Sequence, residues 1–334
     1  AYRSAQPGDV VEVAAGSYGG QDVRKDASKP LGSARVVFRA VGTVTMAGLT
    51  SYANDVTYVD FRVPNNQITI RAGRNVTLEN ARAEKPYIWG PTSSSSTGDT
   101  LENVTIKGGD FGPHVSCGGG FQITRDGPPR NITVEGATFH DFSIDSSCPT
   151  AHLDCLHTFN GIIGLTIKNN RFYRCEHFGA LINSASNVTV ENNFFDGGIY
   201  GMKLRGDTDP SIEVFNNLTI RHNSGDHVSL GSSGSNTLNN ALVEGNATIE
   251  RVNCRPGVTY RNNIGQTGSP CGAGDLPTVR SLGFANPDAG DFHVPLSSPL
   301  VDRLTTGPAT DYDHNARPQG PKYDIGADEV DQGS

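Results

Sequence analysis

The sequence predicts an all-β, single-domain right-handed parallel β-helix, and three observations carry that expectation. One six-residue pattern recurs seven times: Asn75-Val-Thr-Leu-Glu-Asn, Asn103-Val-Thr-Ile-Lys-Gly, Asn131-Ile-Thr-Val-Glu-Gly, Gly164-Leu-Thr-Ile-Lys-Asn, Asn187-Val-Thr-Val-Glu-Asn, Asn217-Leu-Thr-Ile-Arg-His and Asn240-Ala-Leu-Val-Glu-Gly. The repeats begin 23 to 33 residues apart, the period of one solenoid turn. The 334 residues include 40 glycines and 19 prolines with only 7% aromatics, and no helical period separates the repeats.

Each repeat alternates apolar and polar residues over a short β-branched stretch, then turns on Asn or Gly. A Phe often follows eight positions after the repeat begins, at Phe111, Phe139, Phe172 and Phe195. One unit cannot bury its apolar face alone, whereas stacked units share a continuous core. About ten coils are expected over residues 1–274, with residues 275–334 packing over the last coil as a cap, since an open solenoid end exposes core and strand edges. The Asn heading each repeat suits a left-handed turn position, and its amide is expected to join an inner ladder of the same residue. The N-x-T triplets at Asn75, Asn103, Asn131, Asn187, Asn217 and Asn246 follow from the repeat itself rather than from glycosylation.

Six cysteines, at positions 117, 148, 155, 175, 254 and 271, form no CxxC pair, which argues for disulfides over zinc. Cys254 and Cys271 are the expected pair, and the connectivity of the other four stays open. Disulfides favour a secreted, extracellular setting. The net charge of −8 opposes nucleic acid as a partner, and no apolar run approaches membrane-spanning length. A polysaccharide is the expected partner and a monomer the expected state.

Candidate chemistry gathers around "AHLDCLHTFNG", residues 151–161. His152, Asp154, Cys155 and His157 fall within six positions there, and His177 follows one coil on. Aligned on the repeat heads, Gln122, His157, Leu181 and Lys203 share one row, and Thr124, Phe159, Asn183 and Arg205 the next. His157 and Lys203 then lie two coils apart, roughly 10 Å. The 143–151 insertion and the 92–97 loop are expected to wall the groove.

The opening "AYRSAQPGDVVEVAAGSYGG" and the tail "DYDHNARPQGPKYDIGADEV" resemble the ends of secreted bacterial β-helix proteins such as the chondroitinase B and alginate lyase type of polysaccharide lyase. "GIYGMKLRGD", residues 198–207, is similar to a Lys and Arg stretch that those enzymes carry on successive coils. The resemblance implies β-elimination on an acidic, uronate-containing glycan, with a calcium ion held by carboxylates and an amide.

The residue types allow that chemistry. Arg205 would neutralise the substrate carboxylate, Lys203 or His157 would take the C5 proton, and Tyr200 or His177 would protonate the leaving oxygen. Gln122, Asn183, Arg174 and Asp207 are expected to bind substrate. Two further readings stay open. Asp141, Asp154, Asp196 and Asp207, in or near one face, would serve a glycoside hydrolase with paired acids. His152 and Asp154, with His157 and His177, would bind a divalent transition metal. A non-catalytic glycan-binding or adhesive β-helix is the remaining class; it would show regular outward ladders of Thr or Asn, whereas the titratable residues here concentrate between about 140 and 207.

Overall fold

The computed structural model describes residues 1–29, 31–32, 34–71, 73–90, 101–124, 129–159, 161–183, 185–196, 200–205, 214–231, 237–250 and 252–332, with the backbone alone at 124 and 200–205. The repeats build the first of three parallel sheets. Thr57, Thr77, Thr105, Thr133, Thr166, Thr189 and Thr219 stand in one register column, which begins at Val10 and Val37 and ends at Leu242 and Thr259. That column makes eleven rungs among the described residues, against about ten expected. On either side of each threonine an apolar residue turns inward; the pairs Val76 and Leu78, Val104 and Ile106, and Val188 and Val190 are at most 1% exposed.

The next outward column alternates in charge: Glu79, Lys107, Glu135, Lys168, Glu191, Arg221, Glu244 and Arg261. Lys107 Nζ stands 3.1 Å from Glu79, Lys168 Nζ 3.1 Å from Glu135, and Arg261 Nε 2.6 Å from Glu244. A parallel register brings like positions within one rung of each other, so alternation of sign removes the repulsion that a uniform column would suffer. Being exposed, each pair adds about 0–1 kcal/mol. This sheet therefore does carry regular outward ladders, contrary to the expectation that such regularity is missing.

The second sheet stacks the four predicted phenylalanines. Phe111, Phe139, Phe172 and Phe195 are buried, with successive ring centroids 5.2, 5.1 and 4.9 Å apart. The column continues at Gly225, where an added Cβ would come 2.5 Å from the Phe195 carbonyl oxygen.

The asparagine ladder corrects the sequence reading. Asn75, Asn103, Asn131, Asn187, Asn217 and Asn240 are left-handed as expected, with φ of 53–57°. Their amides do link from rung to rung, as in Asn103 Nδ2 to Asn75 Oδ1 at 2.8 Å, but this ladder runs over the outer surface. The inner ladder uses other asparagines, Asn170, Asn193, Asn223, Asn246 and Asn263, all buried. Each Oδ1 accepts the backbone N–H and Nδ2–H of the preceding rung, from Asn170 through to Asp275 Oδ1. Every Nδ2 also donates to a core carbonyl, so the buried amides are satisfied on both sides.

After Asp275 the chain does more than cover the last coil. Leu282, Leu300, Leu304 and Ile325 pack with Ala247 and Ile264 of the final coils. The segment also runs back along the flank: Tyr312 stacks on Phe194 at 4.0 Å, and Arg171 donates to the Gly290 and Ala289 carbonyls. Its own fold is held by Arg317 and Glu329, both sealed from solvent and paired at 2.8 Å. All six cysteines are bonded, Cys254 to Cys271 as expected, Cys117 to Cys148 and Cys155 to Cys175. No described helix is long and apolar enough to cross a membrane.

Candidate active site

The third sheet carries the residues singled out in the sequence. One of its register columns reads Thr50, Thr69, Tyr87, Gln122, His157, Leu181, Lys203 and Ser229. The predicted row is thus the observed register, with His157 and Lys203 two rungs apart and the buried Leu181 between them. Asn183 pairs with Arg205 in the neighbouring column.

Asp154 is the centre of the cluster. The chain delivers it from a non-strand segment just before the strand Leu156–Thr158, and two contacts fix that segment. Cys155 is tied to Cys175 one coil on, and Gly120 lies so close that an added Cβ would stand 1.7 Å from the Asp154 carbonyl oxygen. The second disulfide, Cys117–Cys148, joins the loop before Gly120 to the 143–151 insertion. The predicted wall at 143–151 is thus tethered beside Gly120, and the other, residues 92–97, lies outside the described residues.

The Asp154 side chain is fully sealed from solvent. Its Oδ2 stands 3.1 Å from His152 Nδ1 and 3.1 Å from His157 Nδ1, yet neither imidazole is aligned on it as a hydrogen bond, and both carboxylate oxygens lack an aligned partner among the described residues. Burial pushes this carboxyl up, but the two imidazoles outweigh burial and hold it below the ordinary carboxylate range. The other nitrogen of His157, Nε2, lies 3.2 Å from the Asn183 amide nitrogen, and its ring stacks on Phe159 at 4.1 Å. With Nδ2–H of Asn183 donating, Nε2 is the nitrogen that bears the lone pair and Nδ1 the one that faces the acid. Asn183 is itself 4% exposed, and its Oδ1 has no partner among the described residues.

His177 is brought close without joining the carboxylate. Its ring stacks on His152 at 4.3 Å, and its Nδ1 accepts the Leu153 N–H at 3.5 Å, which leaves Nε2 as the proton-bearing nitrogen. Gln122 is half-buried one rung before His157, and its side chain makes no hydrogen bond among the described residues. The strand Tyr200–Arg205 lies in the predicted register, but the side chains of Tyr200, Lys203 and Arg205, and all of Asp207, fall outside the described residues.

Residues 68–269 match the family model described as a right handed beta helix region. The chain belongs to the right-handed β-helix family. Neither a comparison with curated proteins nor one with solved structures returned a match. Membership in the β-helix family accounts for the architecture and leaves the chemistry to the site.

Two sequence expectations for this β-helix protein are corrected. Arg174 is not turned to the His157 group: its Nη2 bonds Asp141 Oδ2 at 2.7 Å, and its guanidinium lies over Tyr173. That salt link and the His140 contact hold Asp141 at about 2. Nor do Asp141, Asp154 and Asp196 share partners, and Asp207 lies outside the described residues. Asp141 is engaged by Arg174 and His140, Asp154 by His152 and His157, and Asp196 is raised by burial beside Asp226.

One cation of this face escaped the sequence reading. Lys85 lies on the strand Arg82–Trp89, two residues before Tyr87, and its Nζ donates to the Gly119 carbonyl beside the Asp154 loop. Burial lowers its pKa, partly offset by Glu84. Lys85 precedes Asp154 by 69 residues, so only the register reveals it.

Proposed function

We propose that the protein is a carbohydrate-active enzyme that cleaves an acidic, uronate-containing glycan by β-elimination, with His157 as the base. The observation that carries this reading is the Asp154–His157–Asn183 arrangement. A buried carboxylate faces Nδ1, and the lone pair on Nε2 accepts from Asn183 Nδ2, a contact that gives way when Nε2 takes the substrate proton. The acid holds the ring in one tautomer and stabilises the imidazolium that forms when Nε2 takes a proton.

In the elimination, a cation first neutralises the uronate carboxylate, which acidifies the C5 proton. His157 takes that proton, the C5–H electrons form the C4–C5 double bond, and the C4–O bond breaks as its oxygen is protonated. Arg205 and Lys203, both on the strand two rungs along by register, are assigned to the carboxylate and to assisting the base, and Tyr200 or His177 to the leaving oxygen. Three disulfides support an extracellular setting for such an enzyme. Digestion of alginate, pectate, chondroitin, hyaluronan and heparin-type polymers tests the reaction class. New unsaturated uronate ends on one polymer support elimination, whereas new reducing ends without unsaturation would replace it with hydrolysis.

The state of Asp154 favours a second reading. One carboxylate oxygen and two imidazole nitrogens suit a transition ion such as zinc, and do not suit calcium, which takes roughly six to eight oxygens. His152 Nδ1, Asp154 Oδ2 and His157 Nδ1 would hold such an ion, which would supply Lewis-acid polarisation of a substrate oxygen. The base would then be Lys203. Calorimetric titration with zinc separates the two: uptake abolished in Asp154→Asn supports the metal centre, and no uptake leaves His157 as the base.

A further inference from the structure

The sheet that holds His157 carries a second group of side chains, two rungs nearer the N-terminus. Tyr87 occupies the same outward column as Gln122 and His157, and Trp89 the adjoining column, between Arg71 and Thr124. Both rings are partly exposed, and they meet edge to face with centroids 5.2 Å apart and planes at 72°. The Arg71 guanidinium lies over the indole at 4.5 Å from its centre, which fixes the ring and puts a cation beside it. Lys85 projects from the same strand, two residues before Tyr87 and thus on the same face.

Flat apolar rings flanked by two cations match the two chemistries of a uronic acid residue. The C–H face of a pyranose packs on an aromatic surface, and the carboxylate is drawn to Arg and Lys. Successive rungs rise by about 4.8 Å, close to the length of one sugar ring, so two rungs span about two sugars.

We propose that Tyr87 and Trp89, with Arg71 and Lys85, form a binding subsite for an acidic glycan residue about two sugars from the bond that is cleaved. A bound chain then lies parallel to the β-helix axis, with one residue on the aromatic pair and another at His157. This rests on the reading of the same sheet as a glycan-cleaving groove. A disaccharide is too short to touch both places, whereas a tetrasaccharide reaches them together.

Trp89 is the only tryptophan in the chain, so intrinsic fluorescence reports on this position alone. The experiment titrates His157→Ala, which spares the ligand from cleavage, with di-, tetra- and hexasaccharides of alginate, pectate, chondroitin and hyaluronan. In parallel, KM and kcat are measured for the wild type, Trp89→Ala and Trp89→Phe on any polymer that is cleaved. A saturable emission change with tetra- and hexasaccharides of one polymer is expected. Trp89→Ala should raise KM about three- to tenfold with kcat within about twofold, and Trp89→Phe should stay near the wild type.

Cleavage of a polymer with no emission change at saturating hexasaccharide, and an unchanged KM in Trp89→Ala, would overturn the subsite and leave the cleavage reading standing. An emission change without cleavage of any polymer would support the subsite and count against the lyase. Absence of both would remove the two together.

Discussion

The Asp154 carboxylate, shut away from solvent, stands 3.1 Å from Nδ1 of His157, whose opposite nitrogen meets Asn183 at 3.2 Å. A buried acid behind an imidazole commits the ring to one tautomer and one orientation, which a surface histidine lacks. Exchanging the acid for an amide of the same shape removes the charge and permits the wrong tautomer. Asp154→Asn is expected to keep the fold and lower kcat by about 10²- to 10⁴-fold. Circular dichroism together with initial rates checks both parts, and full activity in a folded variant would remove Asp154 from the mechanism.

Gly120 sets how closely the preceding coil approaches that acid. Its missing side chain leaves room for the Asp154 carbonyl oxygen, which an added Cβ would overlap at 1.7 Å. Backbone, rather than a yielding side chain, must move, so Gly120→Ala should cost more than about 2 kcal/mol and displace Asp154. Urea unfolding reads the stability, and a variant as stable as the wild type would show that the two coils are not packed this tightly.

The two asparagine ladders separate surface from core energetics. Asn193 is 0% exposed and links Asn170 to Asn223, while Asn217 bonds Asn187 on the outside. Asn193→Ala strands several buried donors and acceptors and should cost roughly 3–5 kcal/mol. Asn217→Ala leaves its partners to water and should cost under about 1 kcal/mol, apart from its left-handed backbone. Equal losses in urea titrations would contradict the inner placement of Asn193.

His222 makes the fold acid-sensitive. It occupies a left-handed turn position, φ 52°, and is held down to about 3 by burial first and then by Arg317 and Arg221. A histidine that ionises near 6.5 when unfolded and near 3 when folded gives stability that is complete above pH 6.5 and lost as pH falls toward 3. At pH 4 the loss should reach about 3 kcal/mol relative to pH 7. Asn suits the same turn, as at Asn192, so His222→Asn should reduce the pH 7 to pH 4 difference by that amount. An unchanged difference would show that His222 is free to protonate in the folded state.

The fold was legible because a parallel register repeats one local pattern until it cannot be missed. The inward pairs such as Val76 and Leu78, and the phenylalanine column from Phe111 to Phe195, follow directly from the alternation. The same frame placed Gln122, His157 and Lys203 in one column across insertions. The ladders were exchanged because a left-handed residue lies between strand and turn. It resets which side chain enters the ladder, so Asn170 bonds Asn193 while the left-handed Asn169 meets His314, although the sequence shows only two adjacent asparagines. Arg174 was misassigned for the same reason, since its own left-handed conformation, φ 50°, carries it to Asp141. Lys85 and Tyr87 went unnoticed because their coil carries no histidine to draw attention to it, and only pairing across rungs links them to His157.

The central claim is that His157 is the base of an elimination. The most direct measurement is the ultraviolet absorbance of unsaturated uronate product, followed over time with the wild type and His157→Ala on the panel of acidic polymers. The account predicts a steady rise on one polymer with the wild type and a rate lower by at least about 10²-fold in the variant. A rise of equal rate in both, or no rise on any polymer, would contradict it.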